Sequence, residues 1–457
     1  MLERFVFRRD DEASFPDARA APIRASGTTS WGAAFTVAFR LESPPLVSRF
    51  YAHLPGFPDP RKQGCVAVVA THRHLFLFRV GIVMEPSRVR VQDMFVFDSS
   101  PAAAASPVKA LPHCTEPEMD YRTRPNGSLR RRRRTPTSLQ DDNSKPRLLA
   151  LRSMGVLCGG EQEFAVAELN LFKPSRSEVY ADIYLLRSSS TSSPASGGGG
   201  GGEWTSMRVP ILVSDDNPAD DMWQLCLWQT DTVIPFDNKY LCWVDYYRGI
   251  LLCDVFAEPA PTVSFLLFPL DAFPDTHNRS KASSWLYRAA TAVNDGHTLK
   301  FVDVARNDDI GYGALKKPGA GFTVTCHTLG NGMVWSKDYC TVTSDELWDA
   351  NPPERLPREV LMFPQVDIDR PHVVHFLVSD YKYVMKKMWV VSVDMNTKTV
   401  ESIYRYTNGL EDRGTEDADL TIQKSECPMS FLPCEFSKFL QTFSRERKDM
   451  GSGSGPC

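Results

Sequence analysis

The sequence predicts a mostly β fold of antiparallel four-stranded meanders, with a β-propeller as the preferred arrangement and long disordered insertions. Short apolar runs rich in β-branched and aromatic residues recur along the 457 residues, and turn residues end each run. Helical periodicity is scarce between the runs, which argues against a parallel βαβ sheet. The runs come in sets of three or four, and a propeller accommodates successive meanders without a long exposed edge. Two packed β-sandwich domains are the alternative.

The predicted strands follow one another in chain order, each with the alternation or the apolar run expected of a sheet. Trp204 and Trp335 each lie at or near the start of such a run, so they are candidates for equivalent positions in two blades. The runs outside the centre of the chain are 64–70, 74–80, 164–172, 179–187, 322–329, 333–343, 372–380, 387–395 and 399–406.

The centre of the chain contains the clearest hairpin. Residues 242–245 form one predicted strand and residues 250–256 the next, with a third at 263–270. Gly249 suits the left-handed backbone conformation that a tight turn between them requires. Helices are predicted only at Ser344–Trp348 and in a terminal segment, 434–447.

Two segments have compositions typical of disorder. The insertion at 99–146 is rich in alanine, proline and arginine, and the loop at 188–202 is rich in serine and ends in six glycines. Neither contains enough apolar surface to offset its ordering entropy. We therefore predict one β domain at 41–440, with a 1–40 N-terminal extension and a 441–457 flexible tail.

Composition places the chain among ordinary globular proteins. Hydrophobic residues make up 42% and charged residues 24%, and the formal net charge is -4. The N-terminal residues lack the pattern of a secretion signal and no apolar run is long enough to span a bilayer. We therefore expect a cytoplasmic or nuclear protein, or one in both compartments, that is not secreted. The cysteines are scattered singly, which favours structural thiols over a disulfide framework or a zinc site.

Two neighbouring carboxylates are the first candidate site. Asp367 and Asp369 lie two apart on one face of an extended segment, so they are able to hold a cation or act as an acid/base pair. The alternative is an Asp-rich turn that bonds its own backbone. His372 and His375 follow in an H-x-x-H spacing, but in a strand such residues point to opposite faces, which argues against a zinc site. We expect no metal and no cofactor.

The hairpin tip is the second candidate. Tyr246, Tyr247 and Arg248 have the composition of a protein-binding hot spot, and their alternative role is packing on the next strand. The third candidate is Arg130, Arg131, Arg132, Arg133 and Arg134, five consecutive cations suited to nuclear import. Few aromatic residues flank this string, so stacking on nucleic-acid bases is not expected.

Several segments resemble the plant family built on domain of unknown function 1618, which is abundant in grasses. The most specific is WVDYYRGILLCDVF, and the region 240–380 is the most characteristic. The resemblance implies a fold similar to F-box-associated propeller domains and no established activity. No F-box is recognisable before Pro44. The supporting segments are 44–57, 265–270, 300–305, 333–342 and 356–380.

These observations favour a non-enzymatic protein-interaction module with an unidentified protein partner. No catalytic motif is recognisable in the sequence, and a nucleophile elbow of the G-x-S-x-G type is absent. One alternative is a small-ligand or enzymatic site at the centre of a propeller, for which Asp367, Asp369 and His375 are candidates. A further alternative is association with nucleic acid through Arg130–Arg134.

Overall fold

The computed structural model describes most of the chain between its first residue and residue 438. The described residues are 1–60, 62–100, 103, 105–116, 146–160, 163–188, 202–271, 273, 284–308, 313–315, 319–330, 332–381, 385–407, 415–436 and 438. The predicted sites at Arg130–Arg134 and the tail at 441–457 lie outside these residues, as do residues 189–201 of the predicted Ser/Gly loop and most of the helix predicted at 434–447.

Strands dominate the described residues, and they follow one another as six groups of four. The first group is β1 (Leu2–Arg8), β2 (Ile23–Thr28), β3 (Ala34–Arg40) and β4 (Ser48–His53). The second is β5 (Val66–His72), β6 (Leu75–Met84), β7 (Val89–Asp98) and β8 (Val108–Ala110). The third is β9 (Met154–Cys158), β10 (Phe164–Phe172), β11 (Tyr180–Arg187) and β12 (Trp204–Leu212).

The second half of the chain repeats this pattern. The fourth group is β13 (Thr232–Phe236), β14 (Tyr240–Asp245), β15 (Gly249–Asp254) and β16 (Val263–Leu267). The fifth is β17 (Arg288–Val293), β18 (Thr298–Arg306), β19 (Phe322–Leu329) and β20 (Trp335–Thr343). The sixth is β21 (Met362–Val366), β22 (Val373–Tyr381), β23 (Met385–Asp394) and β24 (Thr399–Thr407). The helices are α1 (Pro218–Cys226), α2 (Ser284–Tyr287), α3 (Ser344–Asp349) and α4 (Glu416–Glu426).

Consecutive strands of a group pair antiparallel, as the sequence predicts, with one exception in the first group. There β1 lies beside β4 and pairs with it in parallel. The third and fourth groups also join, because β12 pairs in parallel with β16 over two positions. The eight strands of these two groups form a nearly closed, barrel-like sheet.

Buried side chains fill the space between each group and the next, which arranges the groups as a ring. Trp243 is buried between the third and fourth groups, and Phe39 packs edge-on against Phe76 between the first and second. The cluster that contains Val302 and Phe376 also contains Phe7, so the fifth and sixth groups pack onto the first. A β-propeller also places four-stranded meanders around a ring, and this finer assignment stays a prediction. The prediction of a mostly β fold of antiparallel four-stranded meanders is confirmed.

The C-terminal segment of the described chain closes this ring. Leu432 pairs with Leu2 through two backbone hydrogen bonds, of 2.9 and 3.0 Å, and Thr71 donates to the carbonyl of Pro433. Phe436 packs against Phe39. The segment therefore covers the end of the ring at which β5, β13, β17 and β21 terminate, which we call the channel mouth.

Three predictions need correction. Residues 1–40 are not an extension, because they supply β1, β2 and β3. The alternation of apolar and polar residues in these strands is short, so the sequence did not identify them. The start of the predicted insertion at 99–146 includes β8 and the buried side chains of Leu111 and Cys114. The helix α4 lies outside the two predicted helices: Thr415 caps it, and Glu416, Asp417 and Asp419 occupy its first turn.

The central hairpin is confirmed, but the reason for its glycine is different. The backbone of Gly249 is not left-handed; a Cβ at this position would lie 2.1 Å from the carbonyl oxygen of Leu266. The close approach of β16 therefore excludes a side chain. Trp204 and Trp335 do occupy equivalent positions, since each is the first residue of the outermost strand of its group. The helix predicted at Ser344–Trp348 is α3.

Candidate functional site

A cavity of about 190 Å³ lies at the channel mouth. It is bounded by the turn after β21, by the C-terminal segment, and by the loop before β4. Most of the polar side chains that line the cavity come from the sixth group of strands or from the turn after β21. The lining residues are Met1, Ser43, Pro44, Gln365, Val366, Asp367, Ile368, Asp369, His375, Pro433, Cys434 and Lys438.

Asp367 organises the turn that forms one wall of the cavity. Its Oδ1 accepts the backbone N–H groups of Asp369 and Arg370 at 3.0 and 3.2 Å. Its Oδ2 lies 3.3 Å from His375 Nε2 and accepts from the Arg370 guanidinium at 3.3 Å. All the acceptor positions of this carboxylate are thus used within the protein. Asp367 is a turn-forming residue, as the alternative interpretation of the sequence proposed.

His375 links this turn to the interior of the sheet. It is fully buried, and its Nδ1 lies 2.8 Å from Ser392 Oγ, which in turn accepts from Ser402 at 3.0 Å. Gln365, His375, Ser392 and Ser402 are directly opposite one another on four neighbouring strands. The sheet therefore carries a row of polar side chains from the cavity to its outermost strand.

The hydrogen bonds that Asp367 accepts stabilise the ionised form of its carboxyl group. Desolvation is the largest single influence and raises the pKa of Asp367. The hydrogen bonds from His375 and from the two backbone N–H groups, together with the electrostatic interaction with His375, outweigh desolvation. The pKa of the carboxyl group therefore lies well below its ordinary value.

Gln365 presents a fixed hydrogen-bond acceptor to the cavity. Its Nε2 donates to Thr291 Oγ1 on the neighbouring β17 at 3.1 Å and to the carbonyl of Val366 at 3.2 Å. A carbonyl only accepts, so the amide nitrogen must face Val366 and the Oε1 atom must face away. Only 4% of Gln365 is exposed, and within the described residues its Oε1 accepts no hydrogen bond. The cavity is thus lined by an oriented acceptor that has no hydrogen-bond partner among the described residues.

The rim of the cavity carries an ion pair. The Lys438 ammonium group bonds to Asp369 Oδ1, with 37% and 60% of the two side chains exposed. Such an exposed pair contributes little to stability and exchanges partners readily. Asp369 is therefore the accessible carboxylate of the two predicted from the sequence.

A second, smaller cavity of about 40 Å³ adjoins the first, with Ile368 and Pro433 lining both. Its walls are largely apolar and come from β13 and the C-terminal segment. His72 borders it, and burial lowers the pKa of that imidazole to about 3. The channel mouth thus combines a polar cavity with an apolar neighbour.

The imidazole and hydroxyl groups behind the cavity wall already have partners inside the protein. Both ring nitrogens of His375 have partners, and Ser392 lies behind it at 1% exposure, out of reach of a bound molecule. A general base or a nucleophile needs an accessible atom. Among the described residues no three His, Cys, Asp or Glu side chains are grouped to hold a metal ion.

The structure brings together one set of predicted site residues and buries the other. Asp367, Asp369 and His375 line the same cavity, as the central-site alternative requires. Tyr246, Tyr247 and Arg248 are 5%, 1% and 1% exposed, so the predicted hot spot at the hairpin tip is wrong: these side chains pack inside the ring. His372 and His375 point apart, since His372 lies near Asp394 at the surface and His375 is buried.

Neither Gln365 nor Lys438 was predicted as a site residue from the sequence. A glutamine inside the apolar run MFPQV is a detectable signal, because a polar side chain in a buried strand must find a partner. Lys438 is 69 positions from Asp369, and only the path of the C-terminal segment brings them together.

One segment of the chain matches a known protein family. Residues 243–375 match the family described as protein of unknown function (DUF1618), which confirms the resemblance over β14 to the start of β22. Gln365, Asp367, Asp369 and His375 all lie in the matched segment. No curated protein matches the chain. Within the described residues, no helix is both long and apolar enough to cross a membrane.

Proposed function

We propose that the cavity at the channel mouth, part of whose wall lies in the segment that matches the DUF1618 family, binds a small polar ligand without transforming it. The observation that carries the proposal is the orientation of Gln365, whose Nε2 is held by two hydrogen bonds so that its Oε1 is left as an acceptor at a cavity wall. Ligand sites are concave and depend on a few oriented polar groups for their specificity. The ligand must therefore donate a hydrogen bond.

The cavity limits the size and chemistry of the ligand. Its 190 Å³ is below the range of about 300 to 1,000 Å³ that drug-sized ligands occupy, so a molecule of the size of a monosaccharide or smaller fits best. Gln365 Oε1 and the Asp369 carboxylate both accept hydrogen bonds. Hydroxyl and amine groups are the complementary donors.

A binding screen tests the proposal. Calorimetry and thermal unfolding are measured with defined probes: glycerol, the common monosaccharides, and primary amines with hydroxyl groups. At least one probe should bind the wild-type protein saturably, and Gln365→Met, which keeps the volume and removes the acceptor, should abolish that binding. Gln63→Met on a loop remote from the cavity is the matched control. Failure of every probe to bind, or equal binding by Gln365→Met, would overturn the proposal.

The protein-interaction role, the unidentified partner, the association with nucleic acid and the cytoplasmic or nuclear location stay predictions. The hairpin residues chosen for protein recognition are buried, and Arg130–Arg134 lie outside the described residues.

A further inference from the structure

Arg4 reaches across the interior of the ring. It lies on β1, and its NH2 group donates to Thr232 Oγ1 at the start of β13 at 2.8 Å. These strands are the innermost members of the first and fourth groups, which are opposite each other in a ring of six. The guanidinium group is therefore inside the channel, deeper than the mouth.

A second arginine lies near this point. Arg152 belongs to the short 3-10 turn Leu151–Ser153, which contacts β13, the strand that begins at Thr232. The backbone of this turn is fixed, because Ser153 accepts a 2.7 Å hydrogen bond from the buried Trp243 indole. The Arg152 side chain is exposed. Arg4 thus bonds to the first residue of β13, and the turn that carries Arg152 contacts the same strand.

The neighbouring acids do not neutralise these arginines. Glu3 is bonded to Lys424 and to the Tyr406 hydroxyl, at 3.0 and 2.6 Å. Within the described part of the chain neither Arg4 nor Arg152 forms an ion pair, and Arg4 Nε has no hydrogen-bond partner. Burial, the largest influence, lowers the pKa of Arg4; Tyr246 and Glu3 raise it, and Arg152 lowers it again. A buried cation in a protein is ordinarily paired, and the Arg4 guanidinium has no anionic partner among the described residues.

Two hydroxyl groups add neutral donors to the same region. Thr232 Oγ1 accepts from Arg4, so its own hydrogen is available for donation. Tyr246 accepts a backbone hydrogen bond from Ala290, and the charge of Arg4 lowers the pKa of the Tyr246 hydroxyl. Asp231 raises the pKa of the Tyr246 hydroxyl. The Asp231 carboxylate accepts a hydrogen bond from the Tyr246 backbone N–H at 2.9 Å.

We propose that Arg4 and Arg152 hold a small oxyanion inside the ring, with Thr232 and Tyr246 as further donors. Two guanidinium groups and two hydroxyl groups match the acceptor geometry of a phosphate or a carboxylate. This site is separate from the cavity at the channel mouth. Its ligand accepts hydrogen bonds, whereas the ligand of the cavity must donate a hydrogen bond to Gln365.

Titration with inorganic phosphate, and separately with acetate, tests the site on the full chain at constant ionic strength set with sodium chloride. One or both anions should raise the unfolding temperature of the wild-type protein saturably, and the stronger effect identifies the phosphate or the carboxylate as the preferred group. Arg152→Ala should raise the dissociation constant of that anion by about tenfold or more. This is the usual effect of losing a hydrogen bond to a charged group.

Arg355→Ala is the matched control, an exposed arginine on another loop, and should bind like the wild type. Gln365→Met should also leave anion binding unchanged, which separates this site from the proposed ligand cavity. Arg152 is exposed, so its loss should not prevent folding. No saturable response to either anion, or an unchanged dissociation constant in Arg152→Ala, would overturn the inference.

Discussion

The Lys424 ammonium lies 3.0 Å from the Glu3 carboxylate, with 2% and 1% of the two side chains exposed. Glu3 belongs to the first strand and Lys424 to the last helix, so this ion pair joins the two ends of the ring. Lys424 also donates to the carbonyl of Met429 at 2.6 Å, in the segment that leads to the channel mouth. The closure of the fold therefore depends on a buried polar contact as well as on apolar packing.

We expect Lys424→Met to destabilise the protein by about 3–5 kcal/mol, because it leaves the Glu3 carboxylate buried without its counter-charge. Urea unfolding followed by fluorescence measures the change. The exposed pair Lys398 and Glu346 gives the control: Lys398→Met should change the free energy of unfolding by less than about 1 kcal/mol. Equal effects of the two substitutions would contradict the role given to Lys424.

Asp367→Asn should destabilise the protein by about 1–3 kcal/mol at neutral pH, because the charged acceptor of four hydrogen bonds is lost. The folded pKa of Asp367 is lowered, so its contribution is complete above the ordinary carboxyl pKa of 3.8 and is lost as the pH falls further toward the folded value. The difference in unfolding free energy between wild type and variant should therefore be constant from pH 5 to 7 and shrink below about pH 4. A difference that does not depend on pH would show that Asp367 acts by shape alone.

Gly249→Ala should destabilise the protein by about 1–3 kcal/mol or more, since the added Cβ would overlap the backbone of β16. Gly64→Ala is the control, because no atom lies within 4 Å of a Cβ at that position. Thermal unfolding compares the two variants. If Gly249→Ala unfolded at the wild-type temperature, the close approach of β15 and β16 would be incorrect.

The buried cysteines should resist thiol reagents in the native state. Burial, the largest influence, raises the pKa of Cys253 to about 12 and also raises that of Cys242, so neither forms the reactive thiolate at neutral pH. In a Cys457→Ser background, Cys427 is the exposed cysteine among the described residues and should react with a colorimetric disulfide reagent first. Rapid native labelling of Cys242 or Cys253, detected by mass spectrometry, would contradict their burial; denaturation should expose both.

Much of the fold was predictable because strand pairing is local. Residues 242–245 and 250–256 alternate and are joined by a short turn, so their antiparallel pairing follows from sequence neighbours alone. The position of β1 was not predictable, because it pairs with β4 in parallel and with Leu432. Contacts between residues more than 400 positions apart leave no signal in a single sequence.

The two carboxylates of the site were predictable from the sequence, but the role of each carboxylate was not. Asp367 and Asp369 were identified by their spacing, but spacing does not show that one carboxylate is used by its own turn and the other reaches the rim. Tyr246 and Tyr247 were misassigned because a hairpin tip is usually exposed, whereas here the next group of strands covers it. Burial of a turn is a property of how sheets pack, and no local pattern encodes it.

The most direct test of the central claim, an oriented acceptor in a ligand cavity, is crystallographic soaking with a set of small hydroxylated and amine-containing fragments. A fragment should occupy the cavity with a donor atom about 3 Å from Gln365 Oε1, and Gln365→Met crystals should not bind it. Crystals that show the cavity empty with every fragment, or fragments bound there without contact to Gln365, would contradict the account.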